Sequence, residues 1–127
     1  MNDQIPTESA EQKLLFEWAA YQGGKYPALS LLFHIPNGGA RRKSEAARMS
    51  AEGVRAGVPD LCLPVARGGY HGLFIELKRT RGGRVSPEQT RWIRNLNDQG
   101  YYAAVCIGWA NASQLLLAYL RGEVMRS

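Results

Sequence analysis

The stretch from Gly57 to Arg79, GVPDLCLPVARGGYHGLFIELKR, constrains this chain more than any other. Two apolar runs flank a glycine pair, Gly68-Gly69, which is the pattern of a β-hairpin. Side chains alternate faces along a strand, so Glu76 and Lys78 point one way and Leu77 the other. Phe74 joins the Glu76 face and Ile75 the Leu77 face, which suits a strand covered on both sides. A charged pair at the end of such a strand is costly unless something compensates it. The hairpin gathers Asp60, Glu76 and Lys78 at one point, and a divalent cation held by Asp60 and Glu76 would supply the compensation. Carboxylate and carbonyl oxygens suit Mg²⁺ or Mn²⁺.

Ahead of this hairpin, Thr7 or Ser9 can cap a first helix with Glu8 and Glu11 in its acidic first turn. Leu14, Leu15, Trp18, Ala19 and Gln22 continue a helical stripe, which Gly23-Gly24 end. Glu11 lies one turn from Leu14 and Leu15. It reads either as a solvated carboxylate favouring the helix dipole or as one reaching inward. Residues 29–35 (LSLLFHI) read as a short buried strand ending in His34, a residue expected to be packed or hydrogen-bonded, before the turn Pro36-Asn37-Gly38-Gly39. Residues 41–52 (RRKSEAARMSAE) have the composition of a basic helix. After Lys78 comes a basic loop with Arg79, Arg81 and Arg84. Ser86 then opens a helix as N-cap, with Pro87 at its first position and Gln89 completing a capping box. Trp92, Ile93 and Leu96 form its inward stripe. Residues 101–107 (YYAAVCI) read as a further strand, and Asn111 as the cap of a last helix. The expected fold is α/β, a mixed β-sheet flanked by helices, in a single domain over residues 1–127.

The 127 residues carry a net charge of +5, a balance that favours a polyanionic partner, nucleic acid first. The charge is clustered: Arg41, Arg42, Lys43, Arg48 and Arg55 in one segment, Arg79, Arg81 and Arg84 in another. No apolar run is long enough to span a membrane, and the polar start has no signal-peptide core, so a cytoplasmic protein is expected. Cys62 and Cys106 fall in apolar strands and read as plain core thiols; two isolated cysteines and two isolated histidines do not make a zinc site.

Pro59-Asp60 followed by Glu76-Leu77-Lys78 resembles the PD-(D/E)xK nuclease signature. Gly57-Val58-Pro59-Asp60, Ser86-Pro87-Glu88-Gln89 and Trp92 narrow the resemblance to the virus-type replication-repair nuclease (VRR-NUC) family, over most of the chain from about Glu8 to about Ile107. The resemblance implies a restriction-endonuclease-like core and Mg²⁺- or Mn²⁺-dependent hydrolysis of DNA, with no small-molecule cofactor, leaving a 5′-phosphate and a 3′-hydroxyl. Asp60, Glu76 and the Leu77 carbonyl would hold the cation, with Glu11 completing the shell and Glu8 as the alternative. Lys78 would position or activate the attacking water. Gln89, if not only a cap, would face the site and hold water or phosphate. Asn37 would touch substrate, and Arg41, Arg42, Lys43, Arg79 and Arg84 would bind DNA. Compact stand-alone members resemble phage-borne homodimers acting on four-way junctions. A non-catalytic DNA-binding protein on the same fold is the alternative, and its mark would be loss of Asp60, Glu76 or Lys78.

Overall fold

The computed structural model describes residues 5–36 and 43–126. In chain order it contains α1 (Glu8–Gln22), a 3-10 turn (Pro27–Leu31), β1 (Phe33–His34), α2 (Lys43–Ala51), β2 (Leu61–Leu63), β3 (Leu73–Lys78), α3 (Pro87–Asp98), β4 (Tyr102–Ile107) and α4 (Trp109–Leu120). The four strands form one mixed sheet in the order β1-β2-β3-β4. Antiparallel pairing joins β1 to β2 and β2 to β3, and β4 runs parallel to β3. This is the α/β architecture expected from the sequence, with the hairpin at its centre.

The faces of β3 divide the molecule. Leu73, Ile75 and Leu77 are buried in a cluster with Leu15 and Ala19 of α1 and Ala112, Leu116 and Tyr119 of α4. Glu76 and Lys78 occupy the alternate face, and both are nonetheless buried. Helix α3 packs along β4 with Trp92, Ile93 and Leu96 half-buried rather than enclosed. Cys62 and Cys106 are buried free thiols. Among the described residues no helix is long and apolar enough to cross a membrane.

Two local expectations are corrected. Residues 29–35 are not a continuous strand. Pro27 sits at the start of a 3-10 turn that runs to Leu31, leaving Phe33 and His34 as a two-residue edge strand. A proline pre-set for a first helical position explains the tight turn. The last helix starts at Trp109, with Gly108 as its N-cap residue, and Asn111 lies exposed inside its first turn.

Gly57 sets the distance between the loop before β2 and helix α3. Its φ is 92°, and a Cβ there would stand 2.6 Å from the Glu88 carbonyl carbon in the first turn of α3. Gly53 has a similar φ of 102° but open space around it. Alanine at either position should cost about 1–2 kcal/mol for the left-handed backbone. Gly57→Ala must also push the first turn of α3, and with it Gln89, away from the loop that leads into β2, so it should lower both the melting midpoint and the turnover more than Gly53→Ala does. Equal losses in the two variants, read by thermal melts and DNA cleavage, would contradict this account.

Candidate active site

The hairpin brings Asp60 and the end of β3 together through the backbone. The Leu77 amide donates to Asp60 Oδ2 at 3.0 Å, which fixes the carboxylate against the strand whose outward positions are Glu76 and Lys78. The Asp60 carbonyl in turn accepts from the Ile35 amide at 2.6 Å and from His34 Nδ1 at 3.0 Å. Asp60 is thereby held by both neighbouring strands.

On the α3 side, Glu76 Oε2 lies 3.2 Å from Lys78 Nζ and accepts from Gln89 Nε2 at 2.9 Å. Gln89 also closes the capping box: its Oε1 accepts from the Ser86 amide at 2.9 Å, and its own amide donates to Ser86 Oγ at 3.1 Å. The sequence posed cap and active-site partner as competing roles for this residue. A side-chain amide has an acceptor end and a donor end, and here one holds the helix while the other holds Glu76.

The second oxygen of Glu76, Oε1, is buried without a partner. Burial pushes the Glu76 carboxyl up to about 7, and repulsion from Asp60 adds to this while Lys78 opposes it. Asp60 is also raised, first by burial; the Leu77 amide and a side-chain hydrogen bond with a protonated Glu76 pull it back down, and Glu8 pushes it up again. Two neighbouring carboxyls that repel each other when both are ionised and share a hydrogen bond when Glu76 keeps its proton form a donor set in which a hard divalent cation can take the proton's place. Asp60 and Glu76 would hold it, with Leu77 lining the same cavity as Asp60. Among the described residues no three of His, Cys, Asp and Glu form a ready-made metal cluster, so the oxygen pair and the main chain are the anchor.

The two α1 carboxylates have separate positions. Glu11 is buried on the stripe that also carries Leu15 and Ala19, and its Oε1 accepts from the Trp109 amide at 2.9 Å. Gly108 brings no side chain to the start of α4, so Glu11 supplies the capping acceptor from across the fold and meets the positive end of the helix. Glu8 instead lines a cavity of about 230 Å³ with Ser9, Gln12, His34, Asp60 and Leu77, and its charge acts on Asp60. The α1 carboxylate facing Asp60 is therefore Glu8, and Glu11 belongs to the α4 cap. Glu11→Ala should cost roughly 1–3 kcal/mol of stability while sparing turnover below the melting range. Glu8→Ala should do the reverse. Chemical denaturation and cleavage assays on the two variants check this, and an inactive but stable Glu11→Ala protein would reverse the assignment.

Lys43 opens α2, which is exposed apart from the half-buried Met49. Asn37, Arg41 and Arg42 lie outside the described residues. Arg84 is exposed, whereas Arg79 is half-buried with its Nε unpaired.

An α/β core with a carboxylate before a hairpin, and a Glu-Leu-Lys run ending its second strand, defines the PD-(D/E)xK nuclease class. A family model for the VRR-NUC domain matches residues 6–110, and the chain belongs to that family of nucleases. A solved structure described as a VRR_NUC domain protein superposes with a TM-score of 0.80 at 33% identity, covering 93% of this chain and 91% of that one. No curated protein matches the chain.

Proposed function

We propose that this chain is a metal-dependent DNA endonuclease that cuts branched DNA, four-way junctions above all, as a homodimer. The observation that carries the catalytic part is the convergence of Asp60, Glu76, Lys78 and Gln89 around a buried carboxylate oxygen with no partner. Such a group is expensive in a purely structural role. Mg²⁺ or Mn²⁺ held by Asp60, Glu76 and the Leu77 carbonyl, with Glu8 nearby, would supply charge neutralisation at the phosphate and ease deprotonation of water. The protein's own part is positional. Gln89 fixes the Glu76 rotamer, the Leu77 amide fixes Asp60, and the Lys78 ammonium presents a compact charge where the attacking water must be oriented. Lys43, Arg79 and Arg84, with Arg41 and Arg42, would neutralise backbone phosphates. The alternative, a DNA-binding protein without catalysis, is disfavoured because all three signature side chains are present and assembled.

The junction and dimer reading rests on symmetry. One chain offers one such site, while resolving a junction takes two matched incisions, which a twofold dimer supplies. Leu31 and Phe33 beside the edge strand are 51% and 48% exposed and give an apolar surface for a second copy. Leu116 and Tyr119 of α4, by contrast, are used by the core. Light scattering should return twice the chain mass. A cruciform plasmid should pass directly to linear product. Monomeric mass with nicked circles accumulating first would leave a structure-selective nickase.

A further inference from the structure

Three parts of the fold meet at the end remote from Asp60. The chain leaving α1 brings Lys25 and Tyr26, the turn of the β2–β3 hairpin brings Arg67, and the end of α4 brings Leu120; together they line a cavity of about 350 Å³. Arg121, next along from Leu120, reaches Tyr26: its Nε donates to the Tyr26 hydroxyl at 2.8 Å, and its guanidinium carbon lies 5.7 Å from the ring centre. The Lys25 ammonium also lies 5.7 Å from that ring. Tyr26 thus holds two cations, and Arg67, steadied by a bond from Nη1 to the Ala66 carbonyl at 2.8 Å, adds a third from a different element. All three are exposed and form no ion pair among the described residues. No carboxylate lines the cavity, and Glu123, which acts on Arg121, offsets one charge of the three. Lys25 and Arg121 follow the negative ends of α1 and α4, but Arg67 belongs to no helix, so the helix ends do not account for the group.

We propose that Lys25, Arg67 and Arg121 form a second DNA contact, which takes backbone phosphates of the substrate at a distance from the strand being cut. This rests on the DNA-binding part of the reading above and extends it to the opposite end of the molecule. Guanidinium and ammonium groups are the side chains that pair with phosphate oxygens. Glu8, beside Asp60, and Lys25 stand at opposite ends of α1, whose 15 residues span about 22 Å, the rise of about six base pairs of duplex. A DNA arm of that length or more reaches both places, and a shorter one does not.

The test is binding of a fluorescently labelled four-way junction in EDTA, read by anisotropy, for the wild type and the double variant Lys25→Gln/Arg67→Gln. Both residues are exposed and stand apart from the catalytic group, so the variant should melt with the wild type. Two hairpin-capped junctions are compared, with arms of about 15 and about 5 base pairs, the shorter ending inside the span between the two places. On the long arms the variant should bind roughly tenfold or more weakly, and its salt slope should fall by about 2, one phosphate contact for each cation removed. On the short arms the two proteins should bind alike. Equal affinity and equal salt slope on the long arms would overturn this inference alone, as would a deficit of the same size on both junctions. Inorganic phosphate that raises the melting midpoint of the wild type and not of the variant, with no effect of arm length, would mark a small-anion site and overturn the DNA assignment. A wild type that binds neither junction would overturn it together with the DNA-binding reading.

Discussion

Glu76→Gln should abolish cleavage and, at pH 8, raise the melting midpoint of the metal-free protein. Both effects follow from one carboxyl group. Its value moves from 4.5 to about 7 on folding, so the folded state prefers Glu76 protonated. The stability this gives is fully present below about pH 4.5 and is lost as pH rises through 7, a change of roughly 3 kcal/mol. The metal-free wild type should therefore lose stability between pH 5 and pH 8, and Glu76→Gln, which cannot ionise, should lose much less. Saturating Mn²⁺ should restore the wild type at pH 8 and leave the variant unmoved, because the cation takes the place of the proton on Glu76. Thermal melts across this range decide it. Parallel pH curves for the two proteins would show that Glu76 is not the strained group.

Lys78→Ala should lower turnover by about 10²–10⁴-fold with DNA affinity nearly intact, since the loss falls on the transition state. A second consequence separates this from simple disruption. Lys78 opposes the upward push on Glu76, so its removal should move the acid limb of the pH–rate profile to higher pH. What is still missing on the high-pH plateau is the contribution of Lys78 to the chemical step. Lys78→Arg should not rescue it: the side chain is only 8% exposed, and its Cβ lies close to where a Cβ on Gly83 would stand, leaving little room for a planar guanidinium. Arg84→Ala, on an exposed loop, should instead weaken binding and flatten its salt dependence while turnover at saturation holds. Normal turnover by Lys78→Ala at saturating DNA would remove Lys78 from the chemistry.

The hairpin, the strand alternation that buries Leu77 opposite Glu76 and Lys78, and the capping box at Ser86 were all legible in the sequence because each depends on neighbours a few residues apart. Glu11 was not. Its partner, the Trp109 amide, is 98 positions away, and no periodicity in either helix signals that one caps the other. Asn111 is a good local candidate for the cap, but tertiary structure brings a carboxylate to the Trp109 amide beside Gly108 instead. Gln89 was half legible, since the capping box shows in the spacing while its other end meets Glu76 only once α3 docks. The position of His34 before a turn suggests a packed or hydrogen-bonded residue, and only the fold shows that it is hydrogen-bonded and that its partner is the Asp60 main chain. The edge strand is shorter than its apolar sequence suggests because the apolar residues before it serve a 3-10 turn, where alternating burial has no meaning.

The central claim, that Asp60, Glu76 and Lys78 form a cation-dependent phosphodiester-cleaving site, is tested most directly by incubating a labelled four-way junction with the wild type in Mg²⁺, in Mn²⁺ and in EDTA, beside Glu76→Gln in Mn²⁺. The account predicts cut strands carrying 5′-phosphates with either metal, none in EDTA and none with Glu76→Gln. Cleavage that persists in EDTA or in the variant, or a wild type that binds the junction and leaves it whole in both metals, would contradict it.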